Sequence, residues 1–184
     1  MIKLAALSGL WLCLTSGTSL ADGPSSATGE WQKHEYSFVS MGFTSTYSCD
    51  GLADILKQLL ISAGARGDAK AQPGACARGF GRPETLARAN LIFYSLSPVS
   101  QAADGQKIDG IWRPVTFAVR SPRQLMLGDC ELVEQFRAQV LPLFTTRNIV
   151  EKTTCVPHQE SGSVIDLKFE SLSAAPPSTA ARPR

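Results

Sequence analysis

The sequence has only two histidines, His34 and His158, far apart and in no H-x-x-H or H-x-x-x-H pattern. Protein-bound zinc needs clustered Cys, His or carboxylate ligands at short spacing, so no metal site is expected. Cys155-Val-Pro-His158 comes nearest, and it reads as a strand end running into a turn. G-x-S-x-G is absent, and nothing local marks a Ser-His-Asp triad in its place. Gly79-Phe80-Gly81-Arg82-Pro83 is followed neither by a helical pattern nor by Lys-Ser/Thr. It is therefore a turn carrying one exposed-ring candidate, Phe80, and not a phosphate cradle. C-x-x-C is missing as well, which removes the dithiol redox signature. No cofactor is expected, and no catalytic residue can be named.

Charge excess is lacking too. The chain of 184 residues carries 18 Lys/Arg against 16 Asp/Glu. So even a balance offers no electrostatic case for nucleic acid or an anionic membrane surface as partner.

What is present starts with a leader. Lys3 precedes an apolar run from Leu4 to Leu14, broken only by Ser8 and Gly9, and Ser19-Leu20-Ala21 puts small residues where a signal peptidase reads. This is the three-part secretory layout, with residues 1–21 as signal peptide. The run is short of the ~20 residues a spanning helix needs, so no transmembrane anchor is expected after cleavage. Leu12 before Cys13 is too bulky for a lipoprotein signal, and Cys13 is discarded with the leader. Residues 22–30 (DGPSSATGE) read as a flexible linker and residues 173–184 (SAAPPSTAARPR) as a disordered tail, since neither offers enough apolar surface to offset ordering entropy. Between them, residues 31–172 suit a single domain with a real core.

Two amphipathic helices stand out. Leu52, Ile55, Leu56, Leu59, Leu60 and Ala63 form one stripe over 49–63, with Ser48 as N-cap and Gly64 as the left-handed stop. Val133, Phe136, Val140 and Leu141 form the stripe of a second helix over 130–141, with Asp129 as N-cap and Pro142 ending it. Strand patterns surround both. Val39, Met41, Phe43 and Tyr47 alternate before the first helix, and 88–96 is apolar at its centre. Val115, Phe117 and Val119 alternate before the second helix, and 148–156 follows it. In 163–172, Ile165, Leu167 and Phe169 face one way and Asp166, Lys168 and Glu170 the other, as in a strand wet on one side.

The two halves, 31–97 and 112–172, run in the same order, with 98–110 joining them. Ser48-Cys49-Asp50 matches Asp129-Cys130-Glu131, and Ser95-Leu96-Ser97 matches Ser171-Leu172-Ser173. The reading is a duplicated β-α-β-β unit, an α+β fold with one sheet and both helices on one face; the alternative is coincidence between two amphipathic helices. Each half holds a cysteine at a helix start and another after the next strand. A helix of ~14 residues rises about 21 Å, which a strand of ~6–7 residues retraces, so the ends can meet. Of the three possible pairings, geometry favours Cys49–Cys76 with Cys130–Cys155.

Each reactive reading has an ordinary counterpart. Cys49 and Cys130 sit where a helix dipole would lower a thiol pKa, yet an exported chain with four evenly deployed cysteines is expected to use them as structural bridges. The pairs Asp50/Asp54 and Glu131/Glu134 have the form of acid–base carboxylates, and near helix N-termini they complement the dipole.

The strings FTSTYSCDGL (43–52), GDCELVEQFRAQVLPLF (128–144) and TTCVPHQ (153–159) resemble segments of a family of small exported proteobacterial proteins of uncharacterised function. The resemblance implies export and a cysteine framework, and no activity. The expected role is a periplasmic or secreted, disulfide-stabilised module that binds an envelope protein, a glycan or a small ligand. The alternative is a periplasmic hydrolase acting on envelope material, its residues assembled from separate loops.

Overall fold

The structure is a computed structural model describing residues 26–76, 81–99 and 106–176. The expected signal peptide at 1–21, Phe80 and the expected tail from residue 177 onward lie outside the described residues. Among the described residues eight main elements follow one another: β1 (Ser26–Met41), α1 (Cys49–Ser62), β2 (Lys70–Pro73), β3 (Leu86–Pro98), β4 (Ile108–Ala118), α2 (Cys130–Gln139), β5 (Thr146–Glu151) and β6 (Asp166–Ala174). The strands form one antiparallel sheet in the order β2-β3-β1-β4-β6-β5. The fold is α+β.

β1 and β4 share only a short overlap, Ser26–Gly29 against Ile108–Ile111. Beyond it each strand loses the other as a neighbour, so the sheet consists of two three-stranded halves hinged on four residues. This explains Pro114 inside β4: it lies past the overlap, where its missing N–H costs no ladder bond. Gly29 and Gly110 make the overlap possible. A Cβ on Gly110 would sit 2.8 Å from both Leu96 Cδ2 and the Ala27 carbonyl oxygen, and one on Gly29 would sit 2.7 Å from Leu96 Cγ.

The register places Phe38, Phe93, Phe117 and Phe169 on one face, and both helices cover it. Leu52, Leu56, Leu59 and Leu60 of α1 are completely buried there, each burial stabilising by about 1.5–3 kcal/mol. Phe136 of α2 meets Phe117 edge-on at 5.7 Å. As the pattern indicated, Ser48 caps α1 by accepting the Gly51 N–H, and Gly64 follows at φ +102°.

Several boundaries differ from expectation. Ser26–Glu30, read as linker, begins β1, because cross-strand hydrogen bonds to β3 and β4 order a segment that has little apolar content. In β1 the inward side chains are Tyr36, Phe38 and Ser40; Val39 and Met41 point away, and Phe43 and Tyr47 lie past the strand end. The alternation expected from Val39, Met41 and Phe43 is therefore one residue out of phase with the strand. At the other end Ser173 and Ala174 belong to β6 rather than to the tail. β2 and β5 stop short of Cys76 and Cys155, so both cysteines sit in loops. α2 ends at Gln139, and Leu141–Leu143 makes a separate 3-10 turn around Pro142. Asp129 does not cap α2. It closes the preceding 3-10 turn, accepting the Met126 N–H at 2.7 Å.

Candidate functional site

The helix starts are tied together. Tyr47, two residues before α1, donates its hydroxyl to the Asp129 carboxylate at 2.6 Å, one residue before α2. Burial, and then this hydrogen bond, hold the Tyr47 pKa well above its usual value, so the phenol remains a donor. Disulfides Cys49–Cys76 and Cys130–Cys155, with Cα separations of 6.2 and 5.6 Å, lie beside this junction. Glu84 has a carboxylate oxygen within 4.8 Å of the Cys49 and Cys76 sulfurs, which are bonded to each other and so are not thiolate ligands.

A cleft of about 400 Å³ opens next to it, between the end of β1, helix α2 and the Cys155 loop. Its supports are polar and fixed. Glu131 is buried and accepts the Phe43 N–H at 2.7 Å, the Thr44 N–H at 3.1 Å and the Thr44 hydroxyl at 3.1 Å. It therefore clamps the 43–44 loop in place of merely complementing the dipole. Gln135 imitates a neighbouring strand: its Oε1 accepts the Met41 N–H at 2.8 Å and its Nε2 donates to the Met41 carbonyl at 2.9 Å. Gln139 accepts the Tyr36 hydroxyl at 3.3 Å.

Over this frame sit two apolar side chains that folding leaves outside. Met41 is 53% exposed and Phe43 60% exposed, and both line the cleft. The Phe43 ring meets His158 edge-on at 5.6 Å. Glu134 lines the same cleft from the exposed side of α2. Its pKa is raised, first by partial burial of the carboxyl and then by the nearby Glu151 and Glu131 charges. The arrangement suits an apolar side chain of a ligand beside a hydrogen-bond donor or cation.

Of the residues singled out in sequence, Glu131, Glu134, Cys155 and His158 converge here. Asp50 and Asp54 do not: Asp50 accepts the Gly81 N–H at 3.2 Å on the far side of α1's first turn. His34 is elsewhere, stacked on Phe93 at 5.0 Å, with burial lowering its pKa. Its Nε2 lies 2.8 Å from Ser95 Oγ, but that hydroxyl donates to the Leu143 carbonyl and is fully buried. Imidazole and hydroxyl thus form a structural link, not a nucleophile and its base. Met41, Gln135 and Gln139 escaped sequence reasoning. Their one signal was that Met41 is a large apolar residue on the outward phase of β1.

Compared with protein-family models, with curated proteins and with solved structures, the chain has no match. Among the described residues, no helix is long and apolar enough to cross a membrane.

Proposed function

We propose that the protein is an exported binding module of the cell envelope, and that the cleft between β1, α2 and the Cys155 loop holds its partner. One observation carries this: Met41 and Phe43 are both more than half exposed over a support locked by Glu131 and Gln135. Free energy invested in holding apolar side chains in water is characteristic of interaction sites. The partner is a protein segment presenting an apolar side chain next to Lys or Arg, which Glu134 would receive at the rim. Export is supported by the leader pattern and by two disulfides, which persist in oxidising compartments. The resemblance to small exported proteins agrees with this.

The proposal extends to origin: the chain is a tandem of one β-α-β-β unit. The strand orders β2-β3-β1 and β5-β6-β4 correspond, as do the disulfides. The same residue-number difference separates Gly29 from Gly110, Trp31 from Trp112, Cys49 from Cys130 and Arg66 from Arg147. In each half the arginine lies over that half's tryptophan, Arg66 at 5.7 Å from the Trp31 ring and Arg147 at 4.3 Å from the Trp112 ring. These companions support duplication over coincidence between two amphipathic helices.

The test is photocrosslinking in an exporting bacterial host. Benzoylphenylalanine placed at position 43 is expected to give a discrete adduct that Glu134→Lys abolishes. The same label at the exposed position 57 on α1 should give none. Identical adducts from both positions, or none from position 43, would remove the cleft as a binding site.

A further inference from the structure

A second cleft, of about 240 Å³, lies past the C-terminal end of α1, roughly 21 Å along the helix from its disulfide. Trp31, Arg66, Arg113 and Ser173 line it, together with the Gly64–Gly67 turn. Ser173 is 4% exposed, and its hydroxyl has no hydrogen-bond partner among the described residues. A buried hydroxyl without a partner is costly, and native structures keep few of them.

The other half of the molecule supplies a control. Gln32 lies across from Ser95 on β1 and β3, and Arg113 lies across from Ser171 on β4 and β6. In the first half Ser97 Oγ donates to Gln32 Oε1 at 2.9 Å, and the polar groups satisfy each other. In the second half the corresponding residues are Ser173 and Arg113, and among the described residues neither group has a partner: the Ser173 hydroxyl is buried, like that of Ser171 across from Arg113, and the exposed guanidinium makes no ion pair. Arg66 across the cleft is held on the Tyr94 ring at 3.7 Å and by Asp68 at 2.6 Å, which fixes a second guanidinium at the wall. The turn comes close because residue 64 is glycine; a Cβ there would sit 2.4 Å from Ser173 Oγ.

We infer that this cleft is a binding site for a small oxyanion-bearing ligand, a carboxylate or a phosphate. Arg113 supplies the charge-assisted hydrogen bonds, Ser173 a hydroxyl donor, and Trp31 an aromatic wall for the rest of the ligand. Arginine suits this role because its planar fork matches both carboxylate and phosphate oxygens. The site is separate from the proposed protein-binding cleft, and neither reading depends on the other.

The experiment uses the mature chain labelled with nitrogen-15, titrated in parallel with inorganic phosphate and with glucuronate, a sugar carboxylate. Saturable shifts of the Trp31 indole and the Gly64–Gly67 amides are expected with at least one probe, and the tighter one identifies the preferred oxyanion. Arg113→Gln, at an exposed position where folding should be untouched, is expected to weaken binding at least about tenfold. Ser173→Ala should weaken it by a smaller factor, and Phe43→Ser should leave it unchanged. Absence of saturable shifts with both probes, or equal affinity in the folded Arg113→Gln variant, would overturn the assignment.

Discussion

Glu131 is the residue whose replacement tests the architecture of the candidate site most sharply. Its carboxylate is buried and receives three hydrogen bonds from the loop at 43–44. A hydrogen bond to a charged group contributes about 1.5–3 kcal/mol net, but the three share one anion and do not add. Glu131→Ala leaves two backbone N–H groups without an acceptor, and a loss of about 3–5 kcal/mol is expected. Glu131→Gln separates geometry from charge. The amide oxygen can take the place of Oε2 and accept both N–H groups, while the amide nitrogen donates to Thr44 Oγ1, whose hydroxyl can turn. All three contacts survive, and the expected cost falls to about 1 kcal/mol, the charge assistance alone. At about 2–4 °C per kcal/mol for a domain of this size, melting should drop by roughly 6–20 °C for alanine and 2–4 °C for glutamine. Urea unfolding of the oxidised protein, followed by circular dichroism and tryptophan fluorescence, measures both. If glutamine proves as damaging as alanine, or if alanine costs under about 1 kcal/mol, the loop is not held by this clamp.

Four further outcomes follow from the structure. Replacing Cys49 and Cys76 together by Ala should cost about 3–4 kcal/mol by loop-closure entropy, as should Cys130 with Cys155, given sequence separations of 27 and 25; calorimetry of each double variant tests this, and no change in either would mean the bridge is not structural. Gly110→Ala should destabilise by about 1–3 kcal/mol through overpacking against Leu96 and Leu172, whereas Gly67→Ala, where a Cβ meets nothing within 4 Å, should cost far less; equal losses would contradict the tight overlap of β1 and β4. Because the folded Tyr47 pKa is raised above the unfolded value of about 10, its contribution is complete below that pH and lost above it; stability should fall on going from pH 9 to 11 more in the parent than in Tyr47→Phe, and equal slopes would refute the coupling. In an exporting bacterial host the mature chain should begin at Asp22, which intact mass determines; retention of Met1 would contradict the leader reading.

Local physics made much of the fold legible. The i, i+3, i+4 stripe from Leu52 to Ala63, the Ser48 cap and the Gly64 stop define α1 within a residue, because helix bonds and caps lie within a few positions of one another. The inward set of Leu167 and Phe169 in β6, with Ile165 just before it, is readable for the same reason. Cysteines placed at a helix start and after the next strand constrain the bridges, since a helix and its return strand have fixed rises. Other features depended on partners distant in sequence. Ser26–Glu30 looks like linker because its order comes from β3 and β4, dozens of residues away. The phase of β1 was lost because Ser40 is buried while Met41 and Phe43 are exposed, the reverse of their transfer preference, and only the site on α2 explains it. Glu131 reads as an ordinary first-turn acid, and nothing in its neighbours announces the loop it holds. Sequence alone determined the leader pattern, the helices, the cysteine framework and an α+β class, all set by short-range periodicity. Tertiary structure decided the strand order, the four-residue overlap and both clefts, because each depends on which side chains meet when segments far apart in the chain pack together.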